Sequence, residues 1–145
     1  MIVEMANACL LMRTRLLSRL ISSIYDQQLR NSKISSSQFA LLVAIYQVQP
    51  ATRAEVGRHL HLDRSTLTRH LKTVLSEGWA EETPYGADGR SRPIVLTETG
   101  ADLLRNAEPA WRAAQAEARN LLGEDGLTAV MEIANRVTSP TTTRS

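Results

Sequence analysis

The chain has 145 residues, enough for one domain with a core plus an extra element used for pairing. Its formal charge is only +2 and a single cysteine excludes an internal disulfide framework, which suits a reducing compartment. Six aromatic residues in all (one Phe, three Tyr, two Trp) argue against a single-strand binder built on stacking platforms.

The N-terminal stretch is apolar but is interrupted by Glu4 and Asn7, with no basic leader or cleavage site, and nothing later spans a bilayer. A soluble, cytoplasmic protein with no membrane association is expected. Residues 4–30 predict one long helix, with Met12, Leu16, Leu20 and Ile24 in a broad apolar stripe. A helix of that character at a chain end asks for a partner surface, and a dimer interface is the favoured one. Ser35 with Gln38 has capping-box spacing and predicts a helix that closes before Pro50; Thr52 with Glu55 repeats the device and starts a short helix to Leu60. A turn over 61–63 follows, then a helix to Ser76 capped by Asp63. Two short helices joined so tightly match a helix-turn-helix, and Gly57 is read as a packing residue between them.

The second of these helices is the centre of the reading. Leu67, Leu71, Val74 and Leu75 make its apolar side, while Arg64, Ser65, Thr66, Thr68, Arg69 and Lys72 make a polar and basic side with no acid. Such side chains can pair with base edges and phosphates in a major groove. The run from Arg58 to Lys72 holds four Lys/Arg and one acid, whereas acids outnumber bases from Pro93 onward, so the basic charge is local. Beyond Gly78 the pattern changes to period two: Trp79–Thr83 and Ile94–Leu96 predict a β-hairpin, the wing, with a charged tip holding Asp88, Arg90 and Arg92. Thr97 starts another helix, and Gly100 near its N-terminus allows a close backbone approach. A long helix is predicted over 99–122, kinked or broken at Pro109; a turn spans Gly123–Gly126, a last apolar-faced helix follows, and 139–145 fray.

Three stretches carry a family resemblance: Ser-Ser-Ser-Gln-Phe-Ala-Leu-Leu at 35–42, Leu-Asp-Arg-Ser-Thr-Leu-Thr-Arg at 62–69, and Asp-Gly-Arg-Ser-Arg-Pro-Ile-Val-Leu-Thr-Glu-Thr-Gly at 88–100. In that order the chain resembles the multiple-antibiotic-resistance regulator (MarR) family of transcription factors. The resemblance implies a mainly α fold with a small β-hairpin wing, a winged helix-turn-helix with N- and C-terminal dimerisation helices. It divides the chain into a dimerisation helix (1–34), the DNA-binding domain (35–98), dimerisation helices (99–138) and the tail. It implies a homodimer on a palindromic operator in double-stranded DNA, a repressor released by a ligand. Arg64, Ser65, Thr66, Thr68 and Arg69 would face the major groove. Arg90, steadied by Asp88, would enter the minor groove, and Arg53, Lys72 and Arg92 would touch phosphates. Many members carry an arginine near the end of the first wing strand, where this chain has Glu82 beside Glu81, so little binding is expected from that strand.

The family commonly takes small aromatic or phenolic anions between the dimer helices and the winged lobe, where Tyr46 and Trp111 would line the cleft and Arg15 or Arg19 would pair with the anion. Some relatives sense organic hydroperoxides through a cysteine on the first helix, followed by a Tyr-Asp pair that Tyr25-Asp26 resembles. Cys9 lies two residues too far from the pair, about 200° around a continuous helix, and Leu11 holds the sensor position, so a buried, inert thiol is expected. His59, His61 and His70 lack metal-ligand spacing, so no metal or cofactor is expected, and no glycine-rich phosphate loop, nucleophile elbow or paired carboxylates point to an enzyme. Two other readings stay open, a cysteine-based redox regulator of the same fold and a winged-helix protein-interaction module.

Overall fold

In the computed structural model, which describes residues 1–84 and 89–138, the sequence patterns become seven helices and one two-stranded sheet. The order is α1 (Ile2–Ala8), α2 (Leu10–Leu29), a 3-10 turn (Arg30–Ser32), α3 (Ser36–Val48), α4 (Arg53–Leu60), α5 (Arg64–Ser76), β1 (Ala80–Glu82), β2 (Ile94–Leu96), α6 (Glu98–Asn106) and α7 (Glu108–Thr138). The fold is a winged helix-turn-helix flanked by long terminal helices. Tip residues 85–88 and the tail 139–145, which include Asp88 and the predicted fraying, lie outside the described residues.

Both capping boxes close as the spacing requires. Gln38 N donates to Ser35 Oγ at 3.1 Å while Ser35 N donates back to Gln38 Oε1 at 2.9 Å. Glu55 N donates to Thr52 Oγ1 at 3.3 Å and Thr52 N to Glu55 Oε2 at 2.7 Å. These side chains satisfy amide groups that a helix start leaves without a partner. Leu42, Ile45, Val56, Leu71, Val74 and Ile94 are wholly buried in one core shared by α3, α4, α5 and the wing. Each such side chain contributes roughly 1.5–3 kcal/mol by leaving water. A Cβ on Gly57 would sit 3.2 Å from Leu67 Cδ2, which is the close α4–α5 approach expected there.

The wing pairs antiparallel, Ala80 with Leu96, Glu81 with Val95 and Glu82 with Ile94. A third edge, absent from the sequence reading, is Ala51, which exchanges backbone hydrogen bonds with Ile94 at 3.3 and 2.7 Å. Gln49 Oε1 accepts from Leu96 N at 2.8 Å, so the segment before α4 braces the wing along its length. Thr97 Oγ1 accepts from Gly100 N at 3.0 Å and caps α6.

Two predicted elements are corrected, and one expected break is located. The first helix is not continuous: Cys9 takes an extended conformation (φ −69°, ψ 111°) and separates α1 from α2. No residue of α1 is buried, so no packing holds that segment in phase with the rest. The break expected at Pro109 within 99–122 is present two residues earlier, α6 ending at Asn106 and α7 opening at Glu108, with Pro109 in the first turn of α7, where its missing N–H leaves no gap. The predicted turn over Gly123–Gly126 contracts to one non-helical residue, Gly123 (φ 71°, ψ 167°), after which the helix resumes. Positive φ with extended ψ is open to glycine and almost nothing else.

Candidate nucleic-acid interface

Helix α5 is seated by Leu67, Leu71 and Val74, all buried, which turns Arg64, Ser65, Thr68, Arg69 and Lys72 outward. Thr66 is half-buried. Asp63 caps the helix: Thr66 N donates to Oδ1 at 3.2 Å and the Ser65 hydroxyl to Oδ2 at 3.1 Å. The hydrogen bonds from Thr66, then Ser65, hold the Asp63 carboxyl below the usual carboxylate range. Ser65 is therefore engaged in capping, a bond it would have to exchange or share in order to meet a base.

An open groove of about 920 Å3 runs beside this face, lined by Arg53, Arg58 and Arg64 together with His59, His61 and Thr68, with no carboxylate among the described residues of its lining. Arg58, to which no spacing rule assigns a role, joins the basic lining here. Val137 and Thr138, the last turn of α7, form the far wall. His61 sits at the turn in the left-handed region (φ 52°), and His59 meets Gln47 Oε1 at 3.1 Å. Arg90 is exposed on the wing, and Arg92 stands close to β2.

Arg53 does not stand free at the start of α4. Its Nε donates to Glu82 Oε1 at 2.9 Å and its Nη2 donates to the same oxygen, while Arg92 Nη1 lies 3.9 Å from Glu82 Oε2. Two residues assigned to phosphates thus share one carboxylate. The departure from the family pattern at Glu82 was the signal, but its partner could not be read from spacing.

The other assigned residues separate. Tyr46 and Trp111 do line one cavity of about 420 Å3 with Phe39, Leu104 and Arg105. Arg15 is not among its lining residues, and Arg19 lines a separate polar groove on α2. The cation at the aromatic cavity is Arg105, paired with Glu98 at 2.9 Å and with Asp102. Trp111 also borders a second cavity of about 440 Å3 with Tyr25 and Phe39, between α2 and α3. Cys9 is half-buried rather than buried. The helix break at Cys9 removes the rotational argument, yet the Tyr-Asp pair is occupied elsewhere: Tyr25 OH donates to Gln115 Oε1 on α7, and Asp26 Oδ1 accepts from Ser36 N at 2.6 Å. Burial raises the Tyr25 phenol above its ordinary value.

A family model described as the MarR family matches residues 34–91. The M. tuberculosis transcriptional regulator MosR, solved in complex with DNA, superposes with a TM-score of 0.74 at 32% identity, over 90% of this chain and 95% of that one. The chain belongs to the MarR family. MarR-family proteins are transcription regulators and not enzymes. A mutant E. coli MarR complexed with operator DNA shares the fold, with a TM-score of 0.78 at 22% identity over 94% of this chain and 98% of that one. The organic hydroperoxide resistance transcriptional regulator of Bacillus subtilis is 32% identical over 90 residues, 62% of this chain and 61% of that protein. Matches to the first three curated relatives span between 46% and 61% of their length.

Proposed function

We propose that this MarR-family chain is a homodimeric, sequence-specific transcription regulator of the cytoplasm that reads a palindromic operator, a repressor relieved by a small aromatic or phenolic ligand. The observation that carries the reading is the seating of α5: its apolar side is buried and its acid-free side, Arg64, Ser65, Thr68, Arg69 and Lys72, faces out, and Arg90 on the wing is exposed as well. In this reading 35–98 addresses DNA, while 1–34 and 99–138 pair the protomers. Arg64, Thr68 and Arg69 lie in the major groove, with Ser65 and Thr66 at the helix start. Arg90 enters the minor groove, and Arg53, Lys72 and Arg92 meet phosphates. MosR, crystallised with DNA, supports the partner, and a relative of Pseudomonas putida named as the transcriptional repressor NicR supports the sign.

The last turn of α7 borders the groove beside α5. Pairing would draw that arm, beyond its bend at Gly123, toward the partner and clear the groove for a duplex. Ligand release follows if a molecule held against Tyr46 and Trp111 favours a lobe spacing that no longer matches half-sites about one turn (~34 Å) apart.

Selection of bound duplexes from a genomic library tests the reading. It should return an inverted repeat, and Arg69→Ala and Arg90→Ala should each weaken binding to it by about 1–3 kcal/mol in a mobility-shift titration. Affinity unchanged in both variants removes the assigned contacts. Failure to recover any duplex removes the function.

A further inference from the structure

We propose that Glu82 stands in for a DNA phosphate: its carboxylate holds Arg53 and Arg92 together and so sets how tightly this protein grips the backbone of its operator. The inference rests on the DNA-binding reading above and adds to it a residue that determines affinity.

Glu82 closes β1, opposite Ile94, and its side chain is only 21% exposed, against 46% for Arg53 and 54% for Arg92. The two arginines come from different elements, the first residue of α4 and the segment leading into β2, and each reaches a different oxygen of the one carboxylate. Arg53 also lines the groove that contains Arg64 and Thr68, so this junction borders the recognition face. Without the carboxylate, two guanidinium groups would face each other across a gap shaped for an anion. An arginine fork takes a carboxylate and a phosphate with the same planar geometry. Two of the five N–H donors of Arg53 are spent on Glu82 Oε1.

Pairs this exposed are weakly held and screened by salt. A duplex can therefore displace Glu82, but it must compete with it. The competition has a signature beyond affinity. An arginine whose charge is matched by a carboxylate brings little net positive charge to a phosphate and displaces few of the cations condensed on the duplex, so its contact adds little to the salt dependence of binding. Removing the charge restores that dependence, by about 0.9 in slope for each phosphate gained.

The test uses the full chain and a short mixed-sequence duplex, because phosphate contacts do not depend on sequence, with the best selected duplex alongside. In Glu82→Gln the plot of log affinity against log salt should steepen by about one to two, and affinity at fixed moderate salt should rise about three- to tenfold. Glu82→Asp keeps the charge and should keep the wild-type slope. In an Arg53→Ala/Arg92→Ala background, adding Glu82→Gln should leave the slope where it was. Thermal melting of each variant establishes that it folds. If Glu82→Gln binds no tighter than wild type with an unchanged slope, the carboxylate orients the arginines and the proposal is wrong. A wild-type chain that binds neither duplex sinks the DNA-binding reading and this inference with it, whereas a wild type that binds and a Glu82→Gln that behaves identically sinks only this one.

Discussion

At Gly100 the backbone of α6 passes so close to the loop entering the wing that a Cβ would strike the Trp79 carbonyl oxygen and lie 2.9 Å from Leu96 Cδ1. Thr97, three residues earlier, ties the same junction: its N–H donates to Trp79 O at 3.1 Å and its hydroxyl to Gly78 O at 2.6 Å. One carbonyl cannot rotate aside as the tip of a flexible side chain can. Gly100→Ala should therefore cost about 3 kcal/mol, read as a melting midpoint lower by roughly 10 °C. A variant that melts with the wild type would show that the wing and α6 are not docked this closely. The sequence announced that something approaches Gly100, since glycine near a helix start invites it, but not what, because Trp79 is twenty-one residues away in the chain.

Among the elements, α5 starts on a titratable group whose pKa folding lowers. Thr66 and Ser65 donate to the Asp63 carboxylate, and its pKa is lowered in the folded chain. A carboxyl depressed by folding contributes stability that is fully present above its unfolded value, near pH 4, and is lost as pH falls through the lower folded value. The melting-temperature difference between wild type and Asp63→Asn should thus be constant from neutral pH down to about pH 5 and shrink below about pH 4. A difference that stays level through the acid range would mean that the cap does not depend on charge. Helices α3, α4 and α5 were legible because their caps and apolar spacing are local. The break at Cys9 was not, because nothing in the residues around it differs from a helix interior; the exposed α1 has no packing to keep it in line.

At the scale of the whole molecule, the terminal helices expose apolar side chains that a lone chain leaves in water, among them Leu16 at 51% and Ile133 at 53%. Exposed apolar residues on both terminal helices are what the proposed pairing would cover. Under the dimer reading, Leu16→Glu together with Ile133→Glu should convert a dimer into a monomer in light scattering, with loss of operator binding, because each half-site then pairs with a lobe that has no tethered neighbour. Wild type that runs as a monomer at micromolar concentration would end the dimer proposal. The aromatic cavity depends on packing at this scale too. Tyr46 and Trp111 line it together because α6 packs on both α3 and α7, while Arg15 is not in its lining and Arg105, unmarked in the sequence, supplies a cation.

What the residues determined alone was everything enforced by neighbours within a turn or two: the capped helices, the tight turn at 61–63, the basic side of α5, and a hairpin after Gly78. Periodicity and caps act through short-range hydrogen bonds and burial, so they are written locally. Tertiary structure decided which charges meet. Glu82 reaches Arg53, twenty-nine residues earlier, only because Ala51 joins Ile94 and lays the start of α4 against the wing. That contact couples segments with no shared period, and no spacing rule encodes it.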